Sequence, residues 1–223
     1  MNSLKNLSTN SPSLQRSSLK DQAVSTLRKY IIAGDIPPGT QLVERDIAQL
    51  LNISRGPTRE ALLELENQGL VINSRNRRHV IEPSEEEVIN MFEVRAPLEK
   101  RAAERAAENT NSANQNALRG KLRKMEEAVK EKDRTAFVLA DLELHQMIWH
   151  QSGNVYLENV LNTMSAPIFV AIVNGSFQGF DWDETVELHR NLVESINNGD
   201  VALAGRLANK NMEDALSRNR SFS

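Results

Sequence analysis

The chain has 223 residues, 39% of them hydrophobic and 26% charged, with a formal net charge of −3 and no cysteine. These proportions exclude global disorder, which needs few apolar residues and a strong charge imbalance. The missing cysteines exclude disulfides, thiolate metal sites and a cysteine nucleophile, and aromatics at 4% argue against a protein that stacks single-stranded bases on aromatic rings.

Residues 1–18 are rich in Ser, Asn and Thr and read as a flexible tail without the apolar core of a secretory signal. The longest apolar run, Ala166 to Val173, is far shorter than the roughly 20 residues of a membrane span. A cytoplasmic protein with no membrane partner is expected. A helix is predicted from Leu19 to Ala33, its stripe formed by Ala23, Val24, Leu27, Tyr30 and Ile31 at the 3.6-residue period. Gly34 ends it, and Asp35 to Gly39 forms a turn cluster. A short helix follows over Glu44 to Leu51, with Val43, Ile47, Leu50 and Leu51 facing inward. A third begins after Ser54, a favourable N-cap, carries Pro57 in its first turn, buries Ala61, Leu62 and Leu65, and stops at Gly69. Val71–Ser74 and His79–Glu82 then flank a polar turn, Arg75–Arg78, as a β-hairpin. Three helices and a hairpin in this order make a winged helix-turn-helix over residues 19–84.

Pro83-Ser84 marks a boundary. Beyond it the pattern is helical throughout: Glu85–Glu108, Ala113–Lys132, Arg134–His150, Val155–Asn174, Asp183–Asn197 and Val201–Arg218. Asn109–Ser112, Gly153-Asn154, Gly175–Asp181 and Gly199-Asp200 break it, and Pro97 and Pro167 should kink their helices. Residues 85–223 are thus an all-α bundle of about six helices, and the whole chain is mainly α.

Charge is divided between the two parts, +3 through Ser84 and −6 from Glu85 onward. Placement of the arginines carries more than this modest excess. Arg55 and Arg59 stand one turn apart at the start of the third helix, opposite its apolar stripe. Arginines so placed can make bidentate hydrogen bonds to guanine in a major groove. Arg45 opens the second helix, where phosphates would pass, and Arg75, Arg77 and Arg78 suit a wing reaching phosphates or a minor groove. The alternative is a set of solvated arginines paired with Glu60, Glu64 and Glu66.

From Ser25 to Val80 the chain resembles the GntR family DNA-binding domain, through Leu27-Arg28, Ile31–Gly34, Pro38–Leu42, Glu44–Ala48, Ile53–Leu62 and Leu65–Val71. The resemblance implies DNA contacts by Arg45, Arg55 and Arg59, with Thr58 helping on the backbone. It also implies a glycine and a small residue at the wing tip, where Arg78 and His79 stand instead.

In the second part, Asp141 and His145 lie at i and i+4 on one helix face, a spacing at which two side chains can share a divalent ion. They can equally pair with each other or face solvent. Arg95 can pair with an effector carboxylate or with Glu99 one turn away, and His150 is read as structural. From Glu85 to Leu216 the chain resembles the FCD ligand-binding domain of the FadR subfamily, through Val94–Glu99, Asp141-x3-His145, Ser152–Leu157, Glu187-x-His189 and Gly199–Ala204. That resemblance implies a divalent metal such as zinc or nickel on Asp141, His145 and His189, with a small organic acid beside it. The family's final histidine falls on Asn211. Either Asn211 completes a weaker site through its amide oxygen, or the metal is lost and Asn211 hydrogen-bonds the effector.

The expected function is a homodimeric regulator, a repressor more than an activator, that reads a palindromic operator and responds to a small metabolite. A metal-dependent enzyme using the Asp/His site and an effector-independent architectural DNA-binding protein are the alternatives.

Overall fold

The computed structural model describes residues 19–173 and 181–220. The expected tail, and all but the last residue of the break at Gly175–Asp181, lie outside them. The chain opens with α1 (Leu19–Ala33), α2 (Glu44–Leu50), α3 (Arg55–Asn67), β1 (Val71–Ser74) and β2 (Arg77–Val80). Helix α1 buries Ala23, Val24, Leu27, Ile31 and Ile32, while Tyr30, expected in the stripe, lies at its edge and is exposed. Helix α2 has only seven residues and buries only Ile47 and Ala48. Val43 and Leu50, expected inward, are exposed, because two turns of helix offer one short contact line to α3. Helix α3 buries Thr58, Ala61, Leu62 and Leu65, the i, i+3, i+4, i+7 stripe of an amphipathic helix. Ser54 takes the N-cap position, but its side chain makes no capping bond.

The wing differs from expectation in register. Val71 pairs with Val80 and Ser74 with Arg77, so the turn is Arg75-Asn76 alone. Both turn residues have left-handed backbone, φ 51° and 63°. That is the sense of a two-residue hairpin turn, whose twist matches the strands it joins, and asparagine tolerates it. Arg77, Arg78 and His79 therefore lie on β2, one to three residues past the tip.

Six helices follow among the described residues: α4 (Glu85–Glu108), α5 (Ser112–Glu131), α6 (Arg134–Gln151), α7 (Val155–Val173), α8 (Trp182–Asn197) and α9 (Val201–Arg220). Their starts are set by side chains that satisfy free backbone N–H groups. Ser84 and Glu87 form a capping box on α4, while Asn111, Asp133 and Asp181 cap α5, α6 and α8. Helices α4 and α9 pack closely through small residues, Ala102, Ala103 and Ala106 on one and Ala204 and Ala208 on the other. A Cβ on Gly205 would lie 2.7 Å from Glu104 Oε1, so glycine keeps this approach close. Helix α6 is buried on nearly every face, from Phe137 to Trp149, and forms the centre of the bundle. Helices α4 and α7 both run on past Pro97 and Pro167. The stretch Val155–Ile172 of α7 is long and apolar enough to cross a membrane, but 56% of it is buried as a core helix packed on α4 and α6.

The winged unit rests on the bundle at Gly69. Gly69 has φ +73°, and a Cβ there would meet the Thr163 carbonyl oxygen at 2.6 Å. Thr163 Oγ1 donates to the Asn67 carbonyl at 3.2 Å across the same contact. Gly69→Ala is expected to lower stability by about 1–3 kcal/mol through strained backbone and this clash. A fall in the thermal midpoint would show it; a midpoint equal to wild type would mean that the two units move apart freely.

Candidate functional site

Two surfaces carry the expected residues. The first is the outer face of α3 and the wing. Arg55 and Arg59 are exposed on α3, and neither forms an ion pair among the described residues, nor do Arg75 and Arg77 on the wing. Arg45 is exposed beside them and, among the described residues, is bonded only to its neighbour Asp46 at 3.0 Å. Arg59, Asn73, Asn76 and Arg77 line one groove of about 340 Å³ between helix and wing. A Cβ on Gly56 would meet nothing within 4 Å, so the start of α3 is bare. Free guanidinium groups around an open groove suit the regularly spaced charges of a nucleic-acid backbone.

Two expected contacts are placed otherwise. Thr58 is fully buried, and its hydroxyl donates to the Ser54 carbonyl at 3.0 Å, which steadies the first turn of α3. Arg78 is held from two sides, by Glu44 at 3.0 Å and Glu66 at 3.2 Å. It ties the wing to α2 and α3. Only the part of the solvated-arginine alternative that concerned Glu66 is seen, and it falls on Arg78.

The second surface is internal. Asp141 and His145 project from α6 and His189 from α8 into a cavity of about 40 Å³ that is also lined by Arg95 and Asn211. Their ligand atoms all lie within 4.8 Å of one another. Asp141 Oδ1 is 3.0 Å from His189 Nε2 and 3.7 Å from His145 Nε2. The two Nε2 atoms are 3.2 Å apart.

Hydrogen bonding on the far side of each ring decides what faces the centre. His189 Nδ1 lies 2.7 Å from the Thr185 carbonyl, which can only accept, so Nδ1 carries the proton. His145 Nδ1 faces Glu99 Oε1 at 3.3 Å, an ion-pair contact without good hydrogen-bond alignment. Both Nε2 atoms therefore face Asp141, and that of His189 can either donate to the carboxylate when the ring is protonated or offer its lone pair to a cation when it is not. Such a group of acceptors is stable only around a proton or a metal cation. The charges follow suit: burial alone would raise the Asp141 pKa, but His189 and then His145 bring it below the ordinary carboxylate value. Burial alone would lower that of His189, but Asp141 raises it.

Below the rings lies a buried pair that the sequence offered only as one alternative. Arg95 Nε donates to Glu99 Oε1 at 2.8 Å, and both side chains are 2% exposed. Arg95 Nη2 is 2.6 Å from the same oxygen but without hydrogen-bonding geometry. The guanidinium sits 5.6 Å from the ring centres of both Trp149 and Phe169. Trp149 Nε1 donates to Glu99 Oε2 at 2.9 Å. Glu99 thus holds Arg95, Trp149 and His145 together, a part that sequence reasoning missed. The signal was present as two i, i+4 pairs, Arg95/Glu99 and His145/Trp149. Nothing in the spacing showed that the pairs meet.

Asn211, on α9, is 5% exposed, and among the described residues neither its Oδ1 nor its Nδ2 has a hydrogen-bond partner. A buried amide with both ends unpaired is costly, and it lines the same cavity as the three candidate ligands. His150, read as structural, is exposed and faces Glu158 at 3.3 Å.

A winged helix-turn-helix with exposed arginines, joined to a helical bundle that encloses a charged cavity, is the architecture of a DNA-binding transcription regulator with a ligand-binding domain. Comparison with known families agrees. The profile "Bacterial regulatory proteins, gntR family" matches residues 19–81, and the profile "FCD domain" matches residues 90–214. The chain belongs to the FCD-containing branch of the gntR family.

It is 26% identical over 220 residues to the gluconate operon transcriptional repressor of Bacillus licheniformis, covering 96% of this chain and 90% of that one. It is 27% identical over 195 residues to a probable D-xylose utilization operon transcriptional repressor of Paenarthrobacter nicotinovorans, covering 86% and 84%. Among solved structures, E. coli McbR/YncC shares the fold with a TM-score of 0.78 at 19% identity, covering 92% of this chain and 99% of that one.

Proposed function

We propose that this protein is a homodimeric cytoplasmic repressor that binds a palindromic operator and releases it when a small organic acid binds beside a divalent metal in the bundle. In this reading residues 19–84 read DNA, and residues 85–223 bind effector and dimerise. Arg55 and Arg59 reach base edges in the major groove, and Arg45, Arg75 and Arg77 take phosphates. Thr58 and Arg78 serve the reading head from within. The operon repressors among its relatives support the sign of regulation.

The observation that carries the metal is the convergence of three acceptor atoms in one buried cavity, with an unpaired Asn211 amide beside them. Asp141 Oδ1, His145 Nε2, His189 Nε2 and Asn211 Oδ1 would hold the ion. Two nitrogens and two oxygens suit a borderline or harder divalent cation better than a nitrogen-rich set would. When bound, the metal supplies a Lewis-acidic anchor for an effector carboxylate. Thr185 and Glu99 orient the two rings from behind, as carbonyls and carboxylates commonly do for metal-bound histidines. Arg95 is anchored to Glu99 through Nε, and its Nη2, without a hydrogen-bond partner among the described residues, remains for an effector carboxylate.

At about 40 Å³ the cavity accommodates an ion and a water or two, not a multi-carbon acid. Effector entry must therefore widen it by moving the helices that line it. That requirement links occupancy to the shape of the bundle and hence to the spacing of the two heads.

Elemental analysis of protein purified without chelator, beside a His145→Ala control, tests this reading. Near-stoichiometric metal in the wild type and its loss in the control are expected, together with carboxylate-dependent release of operator DNA. Metal-free wild-type protein would leave Asn211 and Arg95 to bind the effector directly.

A further inference from the structure

Between the winged unit and the bundle lies another cavity, about 380 Å³ in volume. That is within the range of small-molecule sites and far larger than the buried centre. Its walls come from both units. Arg28, Asn67 and Gln68 face it from the winged side, and Gln146, Asn159 and Asn162 from α6 and α7.

Five of these six side chains are carboxamides, each with both a donor and an acceptor end. The amides are ordered rather than loose. Gln68 accepts from Arg28 Nη2 at 2.6 Å and donates to Glu64 Oε1 at 2.9 Å. Gln146 Nε2 donates to Asn162 Oδ1 at 2.8 Å on the opposite wall. The one cation, Arg28, is matched by the one anion, Glu64, so the lining has no net charge. Ile32, Leu70, Leu142 and Ala166 add an apolar surface.

Lining of this kind complements a molecule whose hydroxyls both donate and accept and whose C–H face is apolar. Glu64 also pairs with Lys20 Nζ at 3.4 Å, so the preference for a neutral molecule rests on the carboxamides, which offer donor and acceptor ends without a fixed charge. We propose that this cleft binds a neutral polyhydroxylated small molecule, a sugar or a linear polyol, at a site separate from the buried centre.

The occupant would touch both units at once and hold the reading head in one orientation. It would also touch the helix that carries the buried centre. Leu142 and Gln146 face the cleft, while Asp141 and His145, each one residue earlier on α6, face the centre.

Calorimetric titration of the full-length protein tests the proposal. The neutral probes are D-glucose, D-xylose, myo-inositol and sorbitol, and the anionic comparators are succinate and citrate. At least one neutral probe is expected to bind saturably at one site per chain, cyclic probes against sorbitol telling a ring-shaped site from an extended one. Gln146→Leu and the near-isosteric Asn162→Asp should each weaken that binding by about tenfold or more, ~1.4 kcal/mol, while His145→Ala leaves it unchanged. In the wild type, side-chain NH₂ resonances of Gln146 and Asn162 should shift on titration, a readout that needs no variant. The proposal is overturned if no neutral probe binds, if binding survives both cleft variants, if it is lost in His145→Ala alone, or if a carboxylate binds the cleft more tightly than every neutral probe.

Discussion

Glu99→Gln is expected to destabilise the protein by about 3–5 kcal/mol, the cost of leaving a buried charge without its partner. The glutamine keeps the size of the side chain and can still accept the Trp149 indole N–H. What it removes is the countercharge of Arg95, a guanidinium only 2% exposed and wedged between Trp149 and Phe169. Chemical denaturation at neutral pH would show a lower midpoint. The double variant Arg95→Met, Glu99→Gln should recover much of the loss, because it buries no unpaired charge. A Glu99→Gln protein as stable as the wild type would show that Arg95 is neutralised by something else.

The same carboxylate sets an acid limb. Burial alone would raise its pKa, but Arg95, then His145 and the Trp149 indole, bring it down from 4.5 to about 2. A carboxylate depressed in the folded state stabilises the fold above its unfolded pKa. That contribution is lost as pH falls from about 4.5 toward 2. Over this window the wild type should lose stability more steeply than Glu99→Gln. Equal slopes would mean that Glu99 titrates normally. Metal content of the variant gives a second readout. Glu99 orients His145 from behind, and loss of such a partner typically weakens metal binding about 10- to 100-fold.

Most of the architecture was legible because long helices repeat their apolar residues many times and end at visible caps. Ser84, Asn111, Asp133 and the glycines after α3 and α8 marked the boundaries to within a residue or two. The wing was harder. Strand β1 has one buried residue, Val71, followed by three exposed ones, so no alternation fixes its register. The sequence pattern therefore spreads the turn over four residues, where the structure has Arg75-Asn76 alone. Helix α2 misled for a related reason, since seven residues are too few for a period to separate Leu50 from Ile47.

The buried centre shows the opposite limit. Spacing puts Asp141 and His145 on one face but is silent on His189, 44 residues further on. Only the resemblance joined the three. The Arg95/Glu99 pair was one of two open readings, but its meeting with Trp149 and His145 depends on how α4 packs against α6, a contact that no local pattern encodes.

Arg55→Ala and Arg59→Ala are each expected to weaken operator binding by about 1–3 kcal/mol, roughly ten- to a hundredfold, and to relax preference at one base of each half-site. The loss should be unequal across sequences, because a lost bidentate contact to guanine matters only where guanine stands. Arg77→Ala should behave differently. A phosphate contact carries no sequence information, so binding should weaken about uniformly and the salt dependence should flatten by about one counterion. Arg78→Ala should have its main effect on folding, since Glu44 and Glu66 already occupy its guanidinium. Competition binding against a library of operator variants at two salt concentrations separates the three outcomes. If Arg78→Ala altered base preference while Arg55→Ala and Arg59→Ala did not, the reading face would lie on β2 and its neighbours rather than at the start of α3. The exposed, unpaired state of Arg55 and Arg59 beside the bare Gly56 argues for α3, because a group that binds DNA must not already be spent on a partner within the protein.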